Sequence, residues 1–116
     1  MTLSIPPAAR TLVKEREDSR CLRCGAPGER HQWHHRRTRA VVDPHQHCPC
    51  NGVLLCRTCH MWAHAYPLMA RHAGLIVSRH VREPFLIPVI TPWGERLHDC
   101  FGTYQFIQST EDGEQA

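Results

Sequence analysis

The sequence has little lysine, no long apolar run and few acidic residues in its middle. Lys14 is the only lysine among 116 residues, and the 41% of apolar residues are scattered in short runs. No stretch approaches the ~20 apolar residues that span a bilayer, so we expect no membrane contact. Residues 1–20 lack the apolar segment of a secretion signal, which predicts a cytoplasmic protein. A short chain of this kind is expected to depend on bound metal rather than on a large core.

The shortage of acids in the middle of the chain leaves a strongly basic region. Residues 19–82 carry ten arginines against Glu29 and Asp43, a net charge of +8. Residues 83–116 carry six acids against Arg96, a net charge of −5. A basic region of this size fits a polyanionic partner, and nucleic acid is the first candidate.

Cysteine is abundant, with seven residues in the chain. Four of them form two Cys-x-x-Cys pairs. The paired spacing, the odd total and the missing secretion signal favour zinc thiolates over disulfides. Four thiolates fill the tetrahedral shell of Zn²⁺ and leave no position for a substrate, so the predicted site is structural. Its ligands are Cys21, Cys24, Cys56 and Cys59.

Histidines between and after these pairs predict a second, open metal site. His60 and His64 lie four residues apart on a predicted helix, and His34 lies on a predicted strand. Neutral imidazoles from these three residues can converge on one divalent ion. Alternation along the strand places His35 on the opposite face from His34, where it can accept a proton from water. The alternatives are ordinary histidines in a His-rich chain, or ligands of a second structural zinc.

Periodicity and turn residues predict a small α+β fold. We divide the chain into an N-terminal arm with a helix (1–18), a core (19–74), a short-stranded β extension (75–108) and a disordered acidic tail (109–116). Helices are predicted at 8–18, 58–65 and 67–73. Strands are predicted at 31–36, 51–55, 75–79, 86–91 and 104–107, with a turn at 92–94.

The order of these residues resembles the HNH endonuclease family over about residues 20–64. The chain reads Cys-x-x-Cys, His-His-Arg, Asn-x-x-Leu-Leu-Cys-x-x-Cys-His and then x-x-x-His. The resemblance implies a ββα-metal (His-Me finger) core stapled by a four-cysteine zinc site, between the N-terminal helix and the β extension. It also implies metal-dependent hydrolysis of DNA phosphodiester bonds. The small size and the zinc pairs are similar to HNH proteins of bacteriophages, which implies the host cytoplasm and assistance to terminase in genome packaging.

The resemblance assigns roles to individual residues. A catalytic divalent metal, Mg²⁺, Mn²⁺, Ni²⁺ or Zn²⁺, is held by His34, His60 and His64. His35 is the general base. Asn51 pins a loop through backbone hydrogen bonds and so keeps His35 oriented. Three arginines follow His35, and their guanidinium groups are candidate contacts to the DNA phosphate. The alternative is that they form a generic basic face. These residues are Arg36, Arg37 and Arg39.

Two other functions remain open at this point. One is a zinc module that binds nucleic acid without cutting it, and the other is a structural partner in a phage packaging complex. His35 argues for an enzyme, because a zinc-only finger does not need a second histidine beside a ligand.

Three further cysteines have less definite roles. Cys48 and Cys50 could bind or perturb a metal together with His45 or His47. Cys100 is expected to be a small buried apolar residue.

Overall fold

A computed structural model describes residues 4–107. These residues form a small α+β fold with three α-helices and two antiparallel sheets, which confirms the predicted fold class. The predicted disordered tail, residues 109–116, lies outside the described part of the chain. Within residues 4–107, no helix is long and apolar enough to cross a membrane.

The first helix, α1 (Pro7–Arg16), begins with a proline in its first turn, where the missing N–H has no intrahelical partner to lose. After it, Asp18 and Ser19 both adopt φ of 55°. These two left-handed residues reverse the chain and lead it into the first cysteine pair.

The centre of the fold is a strand, a strand and a helix in succession. Strand β1 (Gln32–His35) pairs antiparallel with β2 (Gly52–Leu55), with His35 opposite Gly52. Helix α2 (Arg57–Ala65) follows directly, and α3 (Pro67–His72) begins at the proline that ends it. Gly52 is required here because a Cβ at this position would lie 2.0 Å from the Trp33 indole.

Strand β2 is buried on both faces and separates two apolar clusters. On one face Val53 and Leu55 share a cluster with Ala63 of α2. On the other face Leu54 joins Val13 of α1 and the Trp33 side chain. The two-stranded sheet is therefore held between α1 and α2, and this packing sets where the side chains of β1 point.

A second sheet follows the core. Strands β3 (Val89–Thr91), β4 (Gly94–His98) and β5 (Tyr104–Phe106) form an antiparallel meander. Arg96 of β4 pairs with the buried carboxylate of Glu17, which also accepts a bond from Arg16. This buried network ties the C-terminal sheet to the end of α1.

The predicted helices and the two strands of the core lie within two residues of their expected bounds. The strand predicted at 75–79 is wrong. Val77 makes one isolated bridge with Arg37, and the Leu75 carbonyl is bonded to the His34 side chain. The segment is thus held by single contacts with the core and does not join a sheet.

Strand β4 was not predicted, because one of its buried positions is the charged residue Arg96 and not an apolar one. Arg96 lies on a face that is buried, and its charge is neutralised there by Glu17 from another part of the chain. Burial of a paired arginine cannot be read from the local pattern of apolar residues.

Candidate metal centre

Three imidazoles converge where β1 crosses α2. The ring centroid of His34 lies 5.1 Å from that of His60 and 5.6 Å from that of His64, and the last two are 4.9 Å apart. One nitrogen from each ring lies within 4.8 Å of the others. The strand supplies the buried ligand, and one turn of helix supplies the other two.

Hydrogen-bond acceptors set the tautomers of two of these rings. Nε2 of His34 lies 2.6 Å from the Leu75 carbonyl oxygen, and Nδ1 of His60 lies 2.7 Å from Oε1 of Gln32. Both oxygens only accept, so these nitrogens carry the protons. Nδ1 of His34 and Nε2 of His60 are left as lone-pair donors, which is how metal-binding histidines are usually oriented.

The environment keeps the imidazoles of His34 and His60 neutral. Burial, together with the neighbouring His60 and His64, lowers the pKa of His34 to about 4 although the Leu75 hydrogen bond opposes it. Burial and His64 also lower the pKa of His60. Neutral imidazoles with defined lone pairs are suited to a divalent transition ion, so the residues present fit the metal that the sequence predicts.

His35 lies on the other face of β1, as alternation predicts, and contacts a second histidine. Its Nε2 is 3.1 Å from Nδ1 of His47, and its ring is 5.9 Å from the Trp33 ring. Burial, followed by the positive charge of Arg39, lowers the pKa of His35 to about 4. His35 is therefore unprotonated at neutral pH and able to accept a proton.

Asn51 is fully buried and bonds three backbone groups of the segment after His35. Its Oδ1 accepts from the Arg37 N–H at 2.7 Å, and its Nδ2 donates to the carbonyls of Arg37 and Gln46 at 3.3 and 3.1 Å. The Arg36 N–H donates to the Asn51 carbonyl at 2.8 Å. These bonds hold the segment after His35 against the start of β2.

His35 and the three-histidine cluster line the same open cavity, which has a volume of about 620 Å³. Arg39, Arg71 and Arg79 lie exposed along its edge. No acidic side chain is among the described residues that line it. The cavity is positively charged and of a size that admits a phosphate and its neighbouring sugars.

The structure argues against the predicted phosphate contacts of Arg36 and Arg37, which are each 1% exposed. The Arg36 guanidinium donates to the carbonyls of Gly74, Cys50, Pro84 and Ile87. The Arg37 guanidinium donates to the Val81 carbonyl and pairs with Asp43. Both side chains are engaged in holding residues 74–87 against the core, and of the three predicted arginines only Arg39 is exposed.

The four paired cysteines come together as predicted, at the start of α2. Their sulfurs lie within 4.8 Å of one another, and those of Cys24 and Cys56 are 3.9 Å apart. A tetrahedral zinc with Zn–S bonds of ~2.3 Å requires sulfurs about 3.8 Å apart. Gly25 adopts φ of 82° and donates to the Cys21 carbonyl at 2.8 Å, which closes the first knuckle. This group can hold a structural metal such as zinc.

Sequence reasoning missed three residues of the cavity and its surroundings. His47 was considered as a cysteine-site ligand but contacts His35 instead. Arg71 belongs to α3, and Arg79 reaches the cavity through the return of the chain after that helix. No local pattern marks these residues.

No family model, no curated protein and no solved structure matches this chain. The functional interpretation consequently depends on the site itself.

Proposed function

We propose that this protein is a metal-dependent endonuclease of the HNH type that hydrolyses phosphodiester bonds of DNA. The observation that carries the proposal is the shared cavity, in which a neutral histidine stands beside a three-histidine metal centre within an arginine-lined surface. The order β1, β2, α2, with ligands on the first strand and the helix, supports a ββα-metal core.

The protein groups have separate tasks in this reaction. A divalent ion held by His34, His60 and His64, when bound, supplies the positive charge that stabilises the phosphate and the departing oxygen. His35 accepts the proton of the attacking water. It does so through Nδ1 when its Nε2–H donates to Nδ1 of His47, an arrangement that the 3.1 Å separation permits.

The arginines at the edge of the cavity bind the polyanion. Arg39, Arg71 and Arg79 offer exposed guanidinium groups around the metal centre, and such groups bind phosphate oxygens in a bidentate manner. Contacts of this kind position the backbone without reading the sequence of bases. Cleavage with limited sequence preference follows from this surface.

The rival function is a zinc module that binds nucleic acid and does no chemistry. Two observations favour the enzyme. The three-histidine centre opens into a cavity, whereas a structural site is closed by four protein ligands. His35, in addition, is kept neutral beside it. Assistance to phage terminase stays a prediction of the resemblance.

The decisive experiment is a plasmid nicking assay with wild type, His35→Ala and His72→Ala. His72 is an exposed histidine at the end of α3 and does not line the cavity, so it is a matched control for the loss of an imidazole. We expect wild type and His72→Ala to nick in the presence of a divalent ion. Loss of a general base should slow His35→Ala by about 10²–10⁴-fold.

Zinc content is measured on the same three preparations. His35→Ala should retain the zinc of the wild type, which shows that the fold is intact. Equal nicking by wild type and His35→Ala would eliminate the general-base role. Binding of DNA by all three proteins without any nicking, across Mg²⁺, Mn²⁺, Ni²⁺ and Zn²⁺, would establish the non-catalytic alternative.

A further inference from the structure

We propose that this protein holds a second closed zinc site, in addition to the site of the four paired cysteines. Its ligands are His45, Cys48, Cys50 and Cys100. One ligand atom from each of these side chains lies within 4.8 Å of the others. The group shares no residue with the paired cysteines or with the three-histidine centre.

The distances within this group match a metal shell. Nδ1 of His45 lies 3.6 Å from the Cys50 sulfur and 3.8 Å from the Cys100 sulfur. In a tetrahedral shell with Zn–S of ~2.3 Å and Zn–N of ~2.0–2.1 Å, neighbouring ligand atoms are about 3.5–3.8 Å apart. Three thiolates and one imidazole form one of the usual structural zinc sets, and soft thiolates exclude Mg²⁺ and Ca²⁺.

A disulfide explains this group less well than a metal does. One imidazole nitrogen approaches two different sulfurs at similar distances, which is expected around a shared centre. A disulfide would join two of the three sulfurs and leave the third as a thiol beside His45. Cys50 is also fully buried, where a metal-bound thiolate is satisfied and a lone one is not.

Two turns and a short 3-10 helix position the ligands of this group. The Cys48 N–H donates to the His45 carbonyl at 3.2 Å, and this turn brings the first ligands together. A 3-10 helix from Pro49 to Asn51 then fixes Cys50. The carboxylate of Asp99 caps the turn after β4, accepting from the N–H groups of Phe101 and Thr103 at 2.8 and 2.9 Å, and so presents Cys100.

The second zinc would join the C-terminal sheet to the loop that supports the cavity. Cys100 follows β4, whereas the other ligands belong to the loop that contains His47 and ends at Asn51. In a small chain whose apolar residues are scattered in short runs, this cross-link replaces part of a core. The metal would also keep His47 against His35, and this consequence for catalysis rests on the proposed function. The existence of the site does not.

The test is the release of thiolate-bound zinc by an organomercurial, read with a chromogenic zinc chelator. Mercurial attack on the paired cysteines also opens the core, so any zinc in the solvent-accessible three-histidine centre is removed beforehand by dialysis against a weak chelator. The zinc released by the mercurial then comes from thiolate sites alone. We expect wild type to release two zinc ions per chain. Cys100→Ser and His45→Asn should each release one, and the control His72→Asn should release two.

Intact mass of the denatured, unreduced protein completes the test. The proposal requires all seven cysteines as free thiols after the metal is removed. Release of one zinc by wild type, a mass lower by two hydrogens, or two zinc ions from both ligand variants would overturn it. If Cys100→Ser does not fold, His45→Asn and the wild-type count decide. Two zinc ions without nicking would refute the proposed function alone, and one zinc with normal nicking would refute this site alone.

Discussion

Nε2 of His35 lies 3.1 Å from Nδ1 of His47, so the candidate base is oriented by a second imidazole. Burial and Arg39 lower the pKa of both rings. Two neutral imidazoles share one proton across this contact, and when His35 is the donor its Nδ1 is left with a free lone pair. In the proposed reaction His47 would act through His35, as a positioning residue.

Removal of His47 should slow nicking without loss of zinc. We expect His47→Ala to reduce the rate by about 10–100-fold, the range found when a group that orients a functional histidine is removed. His47→Gln keeps a side-chain amide that can bond Nε2 of His35, and it should recover part of the rate. An unchanged rate in His47→Ala would show that His35 needs no such partner.

Neutralising an arginine of the cavity should weaken DNA binding at all sequences. Arg79→Gln should reduce the slope of log K against log salt by about 0.9, the contribution of one phosphate contact. Arg57→Gln is the control, since Arg57 is exposed at the start of α2 and does not line the cavity. Fluorescence anisotropy with a short duplex, without divalent ions, measures both slopes. Equal slopes for the two variants would place the DNA elsewhere.

Stability should fall as pH decreases from 7 to 5, partly because of His34. Its pKa is about 4 in the fold and ~6.5 in the unfolded chain, so the unfolded chain binds more protons in this window. The contribution is present above the unfolded pKa and is lost as pH falls towards 4. It amounts to about 2 kcal/mol between pH 7 and pH 5.

Urea unfolding of wild type and His34→Gln at the two pH values isolates this contribution. The variant lacks the titrating ring, so the decrease in its free energy of unfolding should be smaller by about that amount. Both proteins are measured with the three-histidine centre free of metal, because His34→Gln removes one of its ligands. Zinc loss from the paired cysteines at low pH affects both proteins and cancels in the difference. The same pH dependence in both would show that His34 does not titrate as the burial predicts.

Loss of a ligand among the four paired cysteines should unfold the core. Cys21 is fully buried and belongs to the same apolar cluster as Val53 and Leu55. Because zinc-binding energy is largely folding energy in such sites, Cys21→Ser should lose helicity and its cooperative thermal transition. Wild type treated with a strong chelator should resemble it, and added zinc should restore wild type alone. Retained helicity and melting temperature in Cys21→Ser would refute the structural role.

The parts of the site that were predictable are those encoded by local spacing. His60 and His64 converge because residues four apart share a face of α2. Two cysteines separated by two residues can bind one ion wherever the rest of the chain lies. The opposed directions of His34 and His35 likewise follow from the alternation of a strand.

The directions of Arg36 and Arg37 were not predictable from the same alternation. A strand pattern separates two faces but does not say what covers each face. Here residues 74–87 return over β1 and supply backbone carbonyls, so guanidinium groups expected at DNA are buried. Which donor satisfies those carbonyls depends on how distant parts of the chain pack together, and not on the local sequence pattern.

By itself, the sequence determined the class of fold, the grouping of the four paired cysteines and of the three histidines as candidate metal ligands, and the basic character of the region around them. The tertiary structure decided which arginines face the cavity, that His47 supports His35, and that Cys100 joins His45, Cys48 and Cys50. The physical reason is distance along the chain. Ligand spacing within a turn is fixed by backbone geometry, whereas Cys100 reaches Cys50 from the end of β4, whose Arg96 pairs with Glu17 at the end of α1.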